Sequence, residues 1–261
     1  MSTLSYRRFV SAQADALHFV LIHGWGLHSG VWDKVIQPLR AFANLTIIDR
    51  AGYGTSPIMT AMQEREAILS IAPPCAIYIG WSLGAALVID MANRHPERVM
   101  AVMAVAANPC FVQRQDWLCA MPLAVFNEFE QSVINNPYLC LLRFIGLQCH
   151  GSTTRRDDMR FLQEQLEKFP ISHRDVLLNG LKELFTADMR IALQHLRCPI
   201  LWLVGGKDSL AKVDINALFG LNRLIAVNTI SEAAHAPFVS HPEFFVAAVK
   251  RFLYELQNDC F

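Results

Sequence analysis

Cys75-Ala-Ile-Tyr-Ile-Gly80-Trp-Ser82-Leu-Gly84-Ala-Ala-Leu-Val-Ile-Asp-Met-Ala92 is the stretch whose reading decides the fold. An apolar run of strand character enters Gly80-Trp81-Ser82-Leu83-Gly84 and leaves it as a helix. Small residues two positions on either side suit a sharp strand-to-helix turn, which strains the serine and brings neighbouring backbones close. The Ser82 hydroxyl then projects above the sheet, and the free N–H groups of the following helix point to the same place. Ser82 is the candidate nucleophile and Leu83 N–H a candidate donor to an oxyanion. The alternative, a turn serine that happens to be flanked by glycines, is disfavoured by the strand before it and the helix after it.

Outward from this turn, apolar runs of strand length recur at Leu17–Ile22, Leu45–Ile48, Ala76–Ile79, Val99–Val105, Ile200–Val204 and Leu224–Val227. Most are continuous rather than alternating, as in parallel strands buried on both faces. Helical patterns at Trp32–Phe42, Met62–Ile71 and Leu83–Arg94 separate the early ones, the last closing at His95-Pro96. Alternation of this kind predicts an α/β fold with a mostly parallel, doubly wound sheet. Between Asn108-Pro109 and about Arg190 the strand-like runs give way to amphipathic helical ones, broken at Asn136-Pro137, Gly151-Ser152 and Pro170. We read 1–109 and 191–261 as the core and 110–190 as an inserted helical cap; a second compact domain is the alternative.

A serine hydroxyl needs an imidazole to take its proton and a carboxylate to hold that imidazole in the right tautomer. This fold presents them in the order Ser, Asp, His. Asp208, in Gly205-Gly206-Lys207-Asp208, and His235, in Glu232-Ala233-Ala234-His235-Ala236-Pro237, each follow a strand, where an open parallel sheet gathers its ligand-binding groups. Asp214 and Asp188 compete as the acid, but one belongs to the helix after Asp208 and the other to the end of the cap; His95 and His241 compete as the base, but one terminates a helix and the other opens the last one. A second oxyanion donor is expected from Ile22-His23-Gly24-Trp25-Gly26, with Trp25 N–H the choice and His23 holding the loop. Trp25, Trp81, Phe111 and Phe238 are candidates either to wall an apolar channel or to fill the core.

The 261 residues suit one α/β domain with an insertion, and 53% of them are apolar. Val99–Ala107, among the longest aliphatic runs, falls short of the roughly 18 to 20 residues of a membrane span, so no membrane association is expected. The first sixteen residues lack the apolar stretch of a secretion signal. Seven cysteines, at 75, 110, 119, 140, 149, 198 and 260, include no C-x-x-C pair, which points to reduced thiols in a cytoplasmic protein. A formal net charge of zero argues against a general nucleic-acid binder. A monomer is expected.

His23-Gly24-Trp25-Gly26-Leu27 with Val31-Trp32, the Ser82 turn, Asn108-Pro109-Cys110-Phe111, and Ala233-Ala234-His235-Ala236-Pro237-Phe238 with Ser240-His241-Pro242 resemble the BioH-type carboxylesterases of biotin synthesis, which are α/β-hydrolases. The likeness spans nearly the whole chain. It implies hydrolysis of the methyl ester of pimeloyl-acyl-carrier protein to the free carrier-bound acid and methanol, with no metal or cofactor. It implies substrate contacts from Trp25, Ser82, Leu83, the cap segment Phe144-Ile145-Gly146-Leu147-Gln148, and His235. It also implies that Arg143, Arg156 and Arg160 meet the acidic carrier protein, with Arg155 substituting for a cap arginine where Leu139 stands. Ala51 and Ala85 depart from a proline and a glycine of the family. Without the family, the arginine cluster could steer an acidic partner or be a solvated helix face. Rival functions are a general short-acyl carboxylesterase or thioesterase with no carrier partner, and a non-catalytic ligand receptor on the same fold.

Overall fold

The computed structural model describes residues 3–258. Its strands are β1 (Tyr6–Phe9), β2 (Leu17–Ile22), β3 (Ala43–Ile48), β4 (Ala76–Trp81), β5 (Val99–Val105), β6 (Ile200–Gly205) and β7 (Ile225–Ile230). They form one sheet in the order β1-β3-β2-β4-β5-β6-β7. All neighbours are parallel except β1, which pairs antiparallel to β3. The chain moves outward from β2 to β3, then returns to the other side of β2 with β4. Loops after β2 and β4 therefore flank the point where the winding reverses, which is where such sheets bind ligands.

Each apolar run predicted as a strand is one, some with small extensions at the ends, except that β7 starts one residue later than Leu224 and runs on to Ile230. β1 was not predicted. Its Tyr6-Arg7-Arg8-Phe9 carries no apolar run, because an edge strand tolerates charges that discourage further pairing. Arg7 ties this edge to the first helix through Asp33 at 2.8 Å.

Helices α1 (Asp33–Arg40) and α11 (Pro242–Gln257), the latter preceded by the single turn α10 (Pro237–Ser240), cover one face of the sheet, and α2 (Ala61–Ile71), α3 (Leu83–Arg94), α8 (Arg190–His195) and α9 (Ile215–Leu221) cover the other. A short 3-10 turn, Ser29–Trp32, precedes α1, so the helix predicted from Trp32 starts one residue later. Thr60 and Gln63 cap α2 reciprocally, satisfying two otherwise free backbone donors.

Between β5 and β6 lie α4 (Leu123–Asn135), α5 (Pro137–Gln148), α6 (Arg155–Glu167) and α7 (Arg174–Thr186). α4 packs on α5 and α7, and α5 packs on α6. Asn136 caps α5, with Pro137 in its first turn, and Gly151 takes a φ of +87° on the way into α6, so two of the expected breaks are chemically the expected kind. The segment is not purely helical at its start: Val112 bridges Met121 and Arg114 bridges Trp117, a small ladder too short to read from sequence. The cysteines among the described residues are free thiols, and Cys260 lies outside those residues. Among the described residues, no helix is long and apolar enough to cross a membrane.

Candidate active site

Ser82 sits between β4 and α3 with φ 53° and ψ −118°, a strained left-handed backbone for a residue with a side chain. Both flanking glycines are sterically required. A Cβ on Gly80 would fall 2.6 Å from Ala85 Cα, and one on Gly84 would fall 2.6 Å from the carbonyl oxygens of Ile22 and His23. The turn thus packs directly on the loop after β2. Gly24 of that loop lies so close that an added Cβ would stand 3.2 Å from Ser82 Cβ. Of the two candidate oxyanion donors, Leu83 follows the serine directly and Trp25 follows Gly24 in this apposed loop.

His23 holds the loop. Its Nδ1–H donates to Gly24 O at 2.7 Å, and Arg50 N–H donates to its Nε2 at 2.9 Å. That pairing requires a neutral ring with the proton on Nδ1. Complete burial lowers its pKa to about 4, against an opposing pull from Asp49.

Asp208 follows β6 and His235 follows β7, and His235 Nδ1–H donates to Asp208 Oδ2 at 2.9 Å. Asp208 Oδ1 accepts the N–H groups of Leu210 and Ala211 at 2.8 and 3.1 Å. Burial opposes ionisation of this carboxyl, but His235 and the two amides outweigh it and hold the pKa below the usual carboxylate value. The His235 backbone is fixed on both sides: its N–H donates to Gln148 O at 3.0 Å, and its carbonyl accepts Trp81 Nε1–H at 2.7 Å. With Nδ1 committed to Asp208, Nε2 is left as the basic atom. Ser82 and His235 line the same apolar chamber, together with Phe111, Phe126, Leu181 and Leu184. Ser82 Oγ makes no hydrogen bond to any described residue in this resting geometry, and such contacts commonly tighten only around substrate.

The competing candidates lie elsewhere. Asp214 caps α9 through the N–H groups of Asn216 and Ala217, and Asp188 binds Arg190. His95 closes α3 and His241 opens α11. Among the aromatics, Phe111 lines the chamber, whereas Trp81 and Phe238 are fully buried core. Trp25 is also buried, its ring edge-on to Phe129 and Phe144 and its Nε1–H bound to Leu177 O at 2.8 Å.

The 144–148 segment splits by helical phase. Phe144 lines the chamber, and Leu147 is an exposed residue on a neighbouring groove. Ile145 is buried in the core, Gly146 borders Met159, and Gln148 is buried with its carbonyl on His235. Arg143 on α5 and Arg155, Arg156 and Arg160 on α6 are all exposed, and Arg160 pairs with Asp157 at 2.8 Å. Asp158 is buried, accepting Ser152 and Thr154 hydroxyls, so its charge does not join that surface. Sequence reasoning missed the backbone role of Gln148 and the positioning role of the Trp81 indole. Apolar chamber residues such as Leu181 and Leu184 were also missed, because an amphipathic stripe does not say whether it meets protein or a void.

A strained serine after the fourth strand and an Asp–His pair after the last two define an alpha/beta hydrolase, and the model of the alpha/beta hydrolase family matches residues 19–248. Within it, the chain belongs to the family of pimeloyl-[acyl-carrier protein] methyl ester esterases. It is 38% identical to the enzyme of that name from Salmonella newport (strain SL254) over 236 residues, covering 89% of this chain and 92% of that one. Among solved structures it resembles an esterase (EaEST) from Exiguobacterium antarcticum, with a TM-score of 0.84, 15% identity and coverage of 97% of this chain and 100% of the other. It also resembles a bromoperoxidase from Bacillus anthracis, with a TM-score of 0.83, 18% identity and coverage of 95% and 94%. At such identities these two likenesses speak to the fold alone.

Proposed function

We propose that this protein hydrolyses the methyl ester of pimeloyl-[acyl-carrier protein], releasing methanol and the carrier-bound acid in biotin synthesis. The observation that carries the reading is the strained Ser82 sharing an apolar chamber with an Asp208-paired His235, in a chain whose relatives bear that activity in their names. Ser82 Oγ attacks the ester carbonyl while His235 Nε2 takes its proton. Asp208 steadies the imidazolium, and the N–H groups of Trp25 and Leu83 hold the oxyanion. The tetrahedral intermediate collapses with protonation of the methoxy group by His235, and methanol leaves. Water, deprotonated by His235, then releases the acid from Ser82. No metal or cofactor takes part.

In this reading, residues 110–190 form a cap over the chamber, and within Phe144–Gln148 it is Phe144, with Leu147 at the neighbouring groove, that faces substrate. Arg143, Arg155, Arg156 and Arg160 present positive charge to the acidic carrier. Three of them lie within the first two turns of α6 and the fourth on adjacent α5, which supports a single docking face. The enzyme acts as a cytoplasmic monomer.

The test is methanol release from methyl pimeloyl-carrier protein by purified enzyme, together with growth of a biotin-requiring strain that lacks its own methyl esterase. Turnover with growth is expected. Hydrolysis of small free esters with no preference for the carrier-bound one, and no growth despite soluble expression, would replace this reading with that of a general esterase.

A further inference from the structure

Helix α7 meets the loops after β2 and β3 at three successive points along one side. Leu177 O accepts Trp25 Nε1–H at 2.8 Å. Gly180 lies so close that an added Cβ would stand 2.6 Å from Trp25 Cδ1 and 3.0 Å from Tyr53 Oη. Glu183 Oε2 accepts Arg50 Nη2–H at 2.9 Å. Arg50 does not need this last contact to balance its charge. Its buried guanidinium is already gripped twice by buried Glu64, Nε–H to Oε1 at 3.1 Å and Nη2–H to Oε2 at 3.0 Å. Ala51 N–H also donates to Glu64 Oε1, at 2.9 Å, a bond that a proline at 51 could not make. Guanidinium and carboxylate cancel within that pair, so half-buried Glu183 brings a surplus negative charge, and what it supplies is a tie between α7 and residue 50. Residue 50 in turn leads to the oxyanion loop. Arg50 N–H donates to His23 Nε2 at 2.9 Å, and His23 Nδ1–H donates to Gly24 O at 2.7 Å. Gly24 C=O and Trp25 N–H belong to one trans peptide unit and point in opposite directions, so holding the carbonyl aims the N–H.

We infer that α7 positions the oxyanion donor of residue 25 by two routes: through Glu183, Arg50 and His23 onto the Gly24 carbonyl, and through Leu177 O onto the Trp25 indole. Arg50 and Glu183 are positioning residues, acting on the reaction through His23 and the 24–25 peptide. This rests on the ester-hydrolase reading, in which Trp25 N–H holds the oxyanion, and adds the device that aims it. A shift of α7 turns one peptide and weakens the stabilisation of the tetrahedral oxyanion. The ground-state ester, whose carbonyl oxygen carries no full charge, is bound almost as before.

Glu183→Leu removes the acceptor on α7 and leaves Arg50 paired with Glu64, so the variant should fold. On a free ester, methyl butanoate, its kcat should fall about 10-fold with KM within about 2-fold of wild type. The inhibition constant of the matching trifluoromethyl ketone, whose carbonyl becomes an oxyanion when Ser82 adds to it, should rise by the factor by which kcat/KM falls. Gly180→Ala keeps every charge and forces α7 away from Trp25, and it should show the same signature where Glu183→Leu folds poorly. A brace for the fold alone would lower the unfolding midpoint and leave kcat and ketone affinity at wild-type values, a result that overturns the proposal. A rise in KM at constant kcat overturns it too, since α7 would then be no more than a wall of the binding site. The ester-hydrolase reading fails separately, when wild-type enzyme neither turns over the methyl ester nor forms the ketone adduct.

Discussion

The loops at the carboxyl edge of the sheet and the helices between β5 and β6 face each other across one chamber, and they are held by different forces. Ser82, Asp208 and His235 are fixed by short, directional contacts: a strained turn clamped by two glycines, a carboxylate with three hydrogen bonds, and a histidine whose backbone is bound on both sides. The facing helices present aliphatic and aromatic surface, and Leu118, Leu123, Val125, Leu139 and Leu147 are left substantially exposed. Proton transfer demands placement to within tenths of an ångström, which hydrogen bonds and steric clamps provide. Accommodating an alkyl chain demands area without direction, which apolar packing provides. Polar ties nonetheless cross between the regions: buried Arg50 joins Glu64 on α2 to Glu183 on α7, Trp25 Nε1 reaches Leu177 O, and Gln148 O takes His235 N–H. The helices are thereby registered to the chemistry at a few points.

The sharpest break of this contrast is on the sheet side. Ser82→Ala should reduce turnover by about 10⁶-fold while leaving thermal unfolding and ester binding close to wild type, read by single-turnover methanol release and calorimetry. Asp208→Asn should reduce kcat by about 10⁴-fold, because an amide no longer enforces the Nδ1–H tautomer of His235. Its KM should change little if the aspartate acts on the chemistry and makes no contact with substrate.

Stability tests the loop that supports the site. His23 is held neutral, with a pKa of about 4 against an ordinary value of 6.5. The unfolded chain therefore binds a proton before the folded one does. The stabilising effect is complete above pH 6.5 and is lost as pH falls toward 4, at a cost on the order of 3 kcal/mol. Urea midpoints followed by circular dichroism between pH 7 and 4 should show this loss, and His23→Asn should flatten it. Asp208 contributes in the same direction at lower pH: its depressed pKa stabilises the fold above the ordinary carboxylate value, and this is lost as pH falls through the folded one.

The smallest effect belongs to the helices. Charge reversal at Arg143, Arg156 and Arg160 should lower kcat/KM for the carrier-bound ester by about 10-fold at low salt, with the difference shrinking as ionic strength rises. Free methyl esters should be unaffected. An equal loss on both substrates would mean that these arginines support the fold of α5 and α6 and leave the carrier uncontacted.

Much of the sheet was legible because a parallel strand buried on both faces must be apolar throughout, as in Ile77–Ile79 and Ala101–Val105. β1 escaped because Arg7 and Arg8 lie at an edge, where burial imposes no pattern. The Ser82 turn was legible for a steric reason, since Gly80 and Gly84 are positions no side chain can occupy. Asp208 and His235 could be proposed from their places after strands. Their 2.9 Å pairing depends on β6 and β7 being neighbours in register, which is a property of the assembled sheet.

What the sequence by itself determined are the features that local sterics and burial dictate: strand runs, the glycine-clamped serine, helix caps such as Asn136-Pro137, and the absence of charge at buried positions of the sheet. What only the tertiary structure decided is which apolar residues face empty space. Phe111 and Leu184 border the chamber, while Trp81 and Phe238 are packed on all sides, yet all four are large apolar side chains in the sequence. Hydrophobicity has no direction, so an apolar residue specifies removal from water, and the meeting of distant segments determines whether it fills a core or walls a site.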